Sequence, residues 1–223
     1  MRAMILAAGR GERLRPLTDA MPKAMVRAGG KPLIAWHLER LAACGCREAV
    51  VNVSHLGERI VEAIGEGARY GMRIAYSREP EPLETAGGIA QALGLLGQAP
   101  FLLVNADVYC EVDFARLLAF PLGARLAHLV LVPNPPHRAG GDFSLEDGMV
   151  GNASGPRYTY AGIAVMSPAL VAGVRPGAKA PLAPLLRSAA ERRLLGGELY
   201  RGTWQDVGTR ERLAELEAHL SSR

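Results

Sequence analysis

The sequence predicts an α/β fold in which a sheet is sandwiched between two layers of helices. Three observations predict it. Strand-like apolar runs alternate with segments of helical spacing from one end to the other. The N-terminal runs are nearly all apolar, which suits a sheet covered on both faces, with parallel neighbours joined by right-handed crossovers. And 223 residues, 49% of them hydrophobic, can bury a sizeable core.

The strands are expected at RAMILAA, EAVVNVS, MRIAYS, PFLLVNA, AHLVLV, YAGIAVM and TWQDVG. Between the first two, Ile34, Leu38 and Leu41 recur at helical intervals and Gly45 supplies a stop; Leu56, Ile60 and Ile64 form a second stripe. No repeat or long linker interrupts residues 1–223, so a single domain is expected. Residues 133–157 break the rhythm with many prolines and glycines and read as an insertion. Asp147-Gly148 supplies hairpin turn chemistry there. Ligands of open α/β sheets lie beyond the carboxyl ends of the strands, so this insertion is either a substrate lid or a solvated connection.

Composition removes other classes. The net charge of +4 and pI near 9.2 invite a nucleic-acid partner, yet aromatic residues are 5% of the chain and no basic run is interleaved with them. A compact anionic substrate accounts for the charge, and neither nucleic acid nor membrane is expected as a partner. The opening apolar run is about seven residues, short for a signal peptide, and RGERLR follows directly, so a cytoplasmic protein is expected. Cys44, Cys46 and Cys110 lack the spacing of zinc or redox motifs and read as idle or buried thiols.

The chemistry concentrates in ILAAGRGERLRPLTDAMPKAM, residues 5–25. After the apolar strand, Gly9 and Gly11 let backbone N–H groups approach a ligand and form a concave anion site. Arg10, Arg13, Arg15 and Lys23 add full charges, and arginine grips phosphate oxygens bidentately. Pro16 and Pro22 preclude one regular helix through the segment. A constrained basic loop around a polyphosphate is the expectation. It matches neither G-x-G-x-x-G, because position 14 is leucine, nor the Walker pattern.

The whole string, G-x-G followed by R-L-x-P-L-T and then P-K, resembles the signature of the sugar-1-phosphate nucleotidyltransferases. The resemblance continues in EPLETAGGIAQAL at 81–93, in FLLVNADVY ending at Asp107, and in YRGTWQDVGTRERL around Asp206. It implies a Rossmann-like, GT-A-type three-layer sandwich with a mixed central sheet. It further implies a nucleotide site built from Ala7, Ala8, Gly9, Arg10, Gly11, Glu12 and Arg13, with Asn105 at a strand end. Thr85 would cap the helix beside the base, and Gly87 and Gly88 would leave room for the base to lie against backbone. Asn52 and Glu79, on loops after predicted strands, would border that pocket. Asp107 and Asp206 would hold Mg²⁺. Within this superfamily the short length, LETAGG, NPPHRAGGDF and KAPLAPLLR are most similar to the N-acetylmuramate 1-phosphate uridylyltransferases of bacterial cell-wall recycling, which implies UTP and a sugar 1-phosphate as partners.

A sugar phosphate is already largely ionised near neutrality, its second pKa being about 6, so its oxygen needs no strong general base. The obstacle is one anion attacking another. Arg13 and Lys23 would offset charge at the α-phosphorus by positioning and electrostatic stabilisation, in the direct displacement that the resemblance implies. His55 and His137 are accordingly read as hydrogen-bonding or surface residues. The chain departs from the family at Ala24 and Ala106, and it lacks the glutamate-lysine-proline motif of longer relatives. Lys179 or Arg201 could supply that missing charge, and Asp142 could face the sugar. A guanylyl- or cytidylyltransferase of the same fold, a glucose-1-phosphate transferase, a silent nucleotide-sugar sensor and, favoured only by pI, a nucleic-acid-binding module stay open as alternatives.

Overall fold

The computed structural model describes residues 1–153 and 155–222; Ser154, inside the expected insertion, and Arg223 lie outside the described residues. The N-terminal half runs β1 (Ala3–Leu6), β2 (Arg27–Ala28), β3 (Lys31–Pro32), α1 (Leu33–Ala43), β4 (Glu48–Val53), α2 (Gly57–Ile64), β5 (Arg73–Arg78), α3 (Glu84–Leu96) and β6 (Phe101–Asn105). After it come β7 (Val108–Cys110), α4 (Phe114–Leu118), β8 (Ala127–Val132), β9 (Phe143–Glu146), β10 (Met149–Gly151) and β11 (Arg157–Met166). The chain closes with α5 (Leu182–Glu191), β12 (Leu195–Leu199), β13 (Trp204–Asp206) and α6 (Arg210–Ser221).

Among the described residues the main sheet has nine strands in the order β5-β4-β1-β6-β11-β8-β12-β10-β9. Strands β5, β4, β1 and β6 are parallel, as the apolar runs require, and β11 then enters antiparallel to both β6 and β8. The sheet is therefore mixed. Alternation along each strand feeds two cores: Ala3, Ile5, Val51, Leu102 and Val104 face α1, α2 and α4, whereas Met4, Val50, Phe101 and Leu103 face α3 and α5. The three layers follow directly.

All seven expected strand runs are strands, and Asp147 and Gly148, both left-handed, turn the β9–β10 hairpin. The sequence reading passed over β12, whose two glycines hide it. A Cβ on Gly197 would run into Val150 of β10, so the strand needs glycine for close approach. Leu56 precedes α2 in a left-handed conformation rather than joining its stripe. All three thiols are free, and burial raises those of Cys46 and Cys110. Among the described residues no helix is long and apolar enough to cross a membrane.

Two smaller devices position the site. At the carboxyl edge of the sheet, β7 and β13 form an antiparallel ribbon in which Asp206 lies opposite Val108, and the Val207 N–H donates to the Asp107 carbonyl at 2.8 Å. A third apolar cluster, Leu14, Val26, Ala28, Leu33, Tyr109, Val207 and Leu216, pins the basic loop against that ribbon and α6.

His37, on α1, lies buried beside Phe114 with ring centroids 6.2 Å apart, and burial lowers its pKa to about 4. Between pH 6.5 and 4 the unfolded chain therefore binds a proton that the folded chain refuses. Stability should fall as pH drops through that window, by up to about 3 kcal/mol from this group. Urea unfolding of His37→Leu at pH 7 and pH 4.5 should show a smaller acid loss than the unsubstituted chain; equal losses would exclude His37 as the source.

Candidate active site

Three clefts open around the carboxyl edge of the sheet, and the first and third adjoin. The first, about 710 Å³, is lined by Ala7, Ala8 and Gly9 after β1, by Lys23, Asn52, Glu79 and Thr85, by Asn105 at the end of β6 and by Asp107 beyond it. A Cβ on Gly9 would meet nothing of the protein, so this glycine leaves its backbone open to the cleft rather than serving internal packing. The loop that follows is a chain of single turns at Glu12–Leu14, Leu17–Asp19 and Lys23–Met25, as the prolines require. Gly11 does not line the cleft. It is left-handed, with Thr18 Cγ2 only 2.9 Å from where a Cβ would be, and its carbonyl accepts from the Thr18 hydroxyl at 2.8 Å.

The floor of this cleft is a buried polar chain. Ala7 N–H donates to Asn52 Oδ1 (2.7 Å), Asn52 Nδ2 donates to Glu79 Oε1 (2.6 Å), and Leu83 N–H donates to Glu79 Oε2 (2.9 Å). Asn52 belongs to β4 itself rather than to a loop, and Glu79 directly follows β5.

Two expectations for α3 are corrected. Thr85 does not cap it: the helix starts at Glu84, which has a φ of +59°, and the N–H groups of Ala86 and Gly87 are satisfied by the carbonyl of Ala180. Gly87 does not face the base either. A Cβ there would run into the Ala178 carbonyl, so this glycine lets residues 178–180 seal the start of the helix. Gly88 points at the polar floor, where a Cβ would lie 2.6 Å from Glu79 Oε1 and 2.8 Å from Asn52 Nδ2.

The two aspartates are brought together by the ribbon, and cations already hold them. Lys23 Nζ pairs with Asp107, Arg212 Nη1 pairs with Asp206, and His137 Nε2 lies 3.1 Å from Asp206. His137 is exposed and hydrogen-bonded to Arg212, within the expectation of a hydrogen-bonding or surface residue, and it lines the second cleft, while His55 lines none of the three. Among the described residues no group of three or more His, Cys, Asp or Glu side chains converges.

Arg13, Arg201 and Asp206 line the second cleft, about 1,320 Å³, together with His137, Trp204 and Arg212. Arg10, Glu12 and Lys179 border a shallower recess against Glu81 and Glu84, where Lys179 stands 3.8 Å from Glu84. Asp142 borders the third cleft, about 1,030 Å³, which shares Glu84, Thr85 and Asn105 with the first. Its carboxylate accepts from Tyr160 N–H at 2.9 Å and faces Arg138 at 3.3 Å. Asp142, Lys179 and Arg201, grouped by the sequence reading, therefore do not share one subsite.

The third cleft contains what that reading missed: Arg138, Arg187, and Tyr160, whose buried hydroxyl has no protein partner. Gly162, with a φ of +74° in an irregular part of β11, makes room for Asn105, which borders both clefts; a Cβ there would lie 2.6 Å from Asn105 Nδ2.

Residues 2–139 match the family model described as Nucleotidyl transferase. The chain is 49% identical to the N-acetylmuramate alpha-1-phosphate uridylyltransferase of Neisseria meningitidis serogroup B, over 98% of this chain and 97% of the relative. It is 30% identical to the mannose-1-phosphate guanylyltransferase catalytic subunit beta of Drosophila pseudoobscura pseudoobscura, matching 99% of this chain but 63% of that longer protein. A Bacillus anthracis protein assigned as a glucose-1-phosphate thymidylyltransferase, solved in complex with a sucrose, superimposes with a TM-score of 0.87 at 18% identity, over 100% of this chain and 96% of that one.

Gly88→Ala should displace the Asn52–Glu79 pair and weaken nucleotide binding about tenfold, with a stability loss of about 1–3 kcal/mol. Gly87→Ala should cost stability without that selective loss of affinity. Calorimetric titration with nucleotide, alongside thermal melting, separates the two; equal nucleotide affinity in both variants would remove the floor from the binding site.

Proposed function

We propose, from the premise that the chain belongs to the nucleotidyl transferase family, that it transfers UMP from UTP to N-acetylmuramate 1-phosphate, giving the UDP-sugar and pyrophosphate. One geometric observation carries this reading: a cleft walled by open backbone and a cleft holding Arg138 and Arg187 share the Asn105 border, beside the ribbon that carries Asp107 and Asp206. A nucleotide in the first and a sugar phosphate in the second would meet at that border. The choice of uracil and of the muramoyl sugar rests on similarity to the meningococcal enzyme along nearly the whole chain.

Residues 1–223 act in this reading as one catalytic domain of GT-A type, working in the cytoplasm where UTP is made. Gly9 and its neighbours bind the nucleotide through backbone, with Ala7 N–H held in place by Asn52. Lys23, its side chain 12% exposed inside the first cleft, supplies positive charge where the triphosphate enters. Arg13 flanks the second cleft, the side from which pyrophosphate leaves. Arg187, Arg138 and the Tyr160 hydroxyl hold the sugar phosphate, so that its own ionised oxygen attacks without a protein base.

The donor set suits Mg²⁺, which keeps several waters and pairs one or two carboxylates with substrate phosphates. Asp107 and Asp206 would hold it, and it would supply charge neutralisation shared between the two phosphates.

Pyrophosphate release should be seen with UTP and N-acetylmuramate 1-phosphate. It should be absent or far slower with GTP and mannose 1-phosphate, CTP and phosphocholine, or glucose 1-phosphate, and should drop at least about 10³-fold in Asp107→Asn. Turnover confined to GTP and mannose 1-phosphate would refute the uridylyl assignment. Nucleotide binding without any turnover would refute catalysis.

A further inference from the structure

Arg212 is a cation that the proposed reaction does not use, and its placement is unusual. It lies in the first turn of α6, with a side chain only 11% exposed, and its Nη1 donates to Asp206 Oδ2. His137 Nε2 stands 3.1 Å from the other carboxylate oxygen of Asp206 and 2.7 Å from Arg212 Nη1. Gly208 makes this approach possible: a Cβ there would fall on the Arg212 guanidinium and lie 3.0 Å from Arg13 Nη2. Two guanidiniums therefore crowd the same bare stretch of backbone beside Asp206, and the Arg212 guanidinium already occupies its Oδ2.

A carboxylate in that state is a poor ligand for a divalent ion. The guanidinium must first leave, and while it stays its charge repels the incoming cation. Arg212 also has somewhere to go. The second cleft, which it lines with Arg13 and Arg201, opens beside it, and a polyphosphate arriving there offers oxygens that a guanidinium grips bidentately.

We propose that Arg212 is an exchangeable counter-ion for Asp206, holding that carboxylate in the free enzyme and releasing it to a divalent cation when a polyphosphate arrives to take the guanidinium. The inference rests on reading Asp107 and Asp206 as the metal-binding pair. Its consequence is thermodynamic coupling: the free enzyme binds the ion weakly, and nucleotide and ion each strengthen the other by the same factor.

The test is titration with Mn²⁺, following free Mn²⁺ by electron paramagnetic resonance, with and without a non-hydrolysable UTP analogue. The proteins compared are the unsubstituted chain, Arg212→Gln, Arg212→Lys and Asp206→Asn. Arg212→Gln should keep its fold, because Thr209 still accepts from the backbone N–H of residue 212 and Gln205 still donates to its carbonyl; circular dichroism checks this. Without nucleotide, Arg212→Gln should bind Mn²⁺ about tenfold more tightly, and the gain on adding the analogue should shrink by about the same factor. Arg212→Lys, which keeps the charge, should stay near the unsubstituted protein. If Asp206→Asn loses Mn²⁺ binding while Arg212→Gln is unchanged or weaker, the counter-ion role is overturned and the metal pair survives. If no form shows Asp206-dependent Mn²⁺ binding even with nucleotide, the metal pair falls and this inference falls with it.

Discussion

The buried carboxylate of Glu79 constrains the site more than any other single group. Only 4% exposed, it sits just after β5 beneath the first cleft, where an unpaired charge would be costly. It is satisfied by Asn52 from β4 and by the N–H of Leu83 at the entry to α3, while the other end of Asn52 takes the N–H of Ala7 after β1. Three strand ends and a helix start are thus fixed by one chain of hydrogen bonds. Removing any member would leave the others nearly buried and without their partners. The cleft wall is backbone held in place by buried side chains, which is why Gly88 cannot carry a side chain.

A second constraint attaches the basic loop. Leu14 stands where a dinucleotide fingerprint would have its last glycine, and that substitution set the motif apart at the level of sequence. In the fold Leu14 is fully buried with Tyr109, Val207 and Leu216. Burying such a side chain stabilises by about 1.5–3 kcal/mol, enough to hold a loop of single turns against the ribbon that carries both aspartates. Packing, rather than the phosphate it would bind, keeps the loop near the acidic pair.

What could be read from the sequence follows from which signals are local. Strand runs, the α1 stripe, the Asp147-Gly148 turn and the contexts of Asp107 and Asp206 are written in contiguous residues, and the fold confirms each as structure. The partners of the aspartates are not: Arg212 follows Asp206 closely, but only the bare backbone of Gly208 and the approach of His137 from the insertion make its position meaningful. Strand β12 was hidden because Gly197 answers to Val150, a neighbour 47 residues earlier, and Gly196 to Arg125 and His128. Gly87 misled for the same reason. It reads as space for a ligand, whereas the Ala178 carbonyl, far along the chain, fills that space.

The dispersal of Asp142, Lys179 and Arg201 over separate recesses carries a physical lesson about charge. Isolated basic residues are legible as charges, but their convergence is not, and in the third cleft it comes from a bulged strand and a folded-back insertion. Gly162 gives way to Asn105 at the border of two clefts, the insertion supplies Arg138, and α5 supplies Arg187. None of these three segments announces a ligand by itself. The insertion therefore does more than connect β8 to β11: it contributes His137 to the acidic pair and Arg138 to the third cleft from adjacent positions on one short turn. A shift of that turn would move both at once, tying the geometry of the second carboxylate to that of the third cleft.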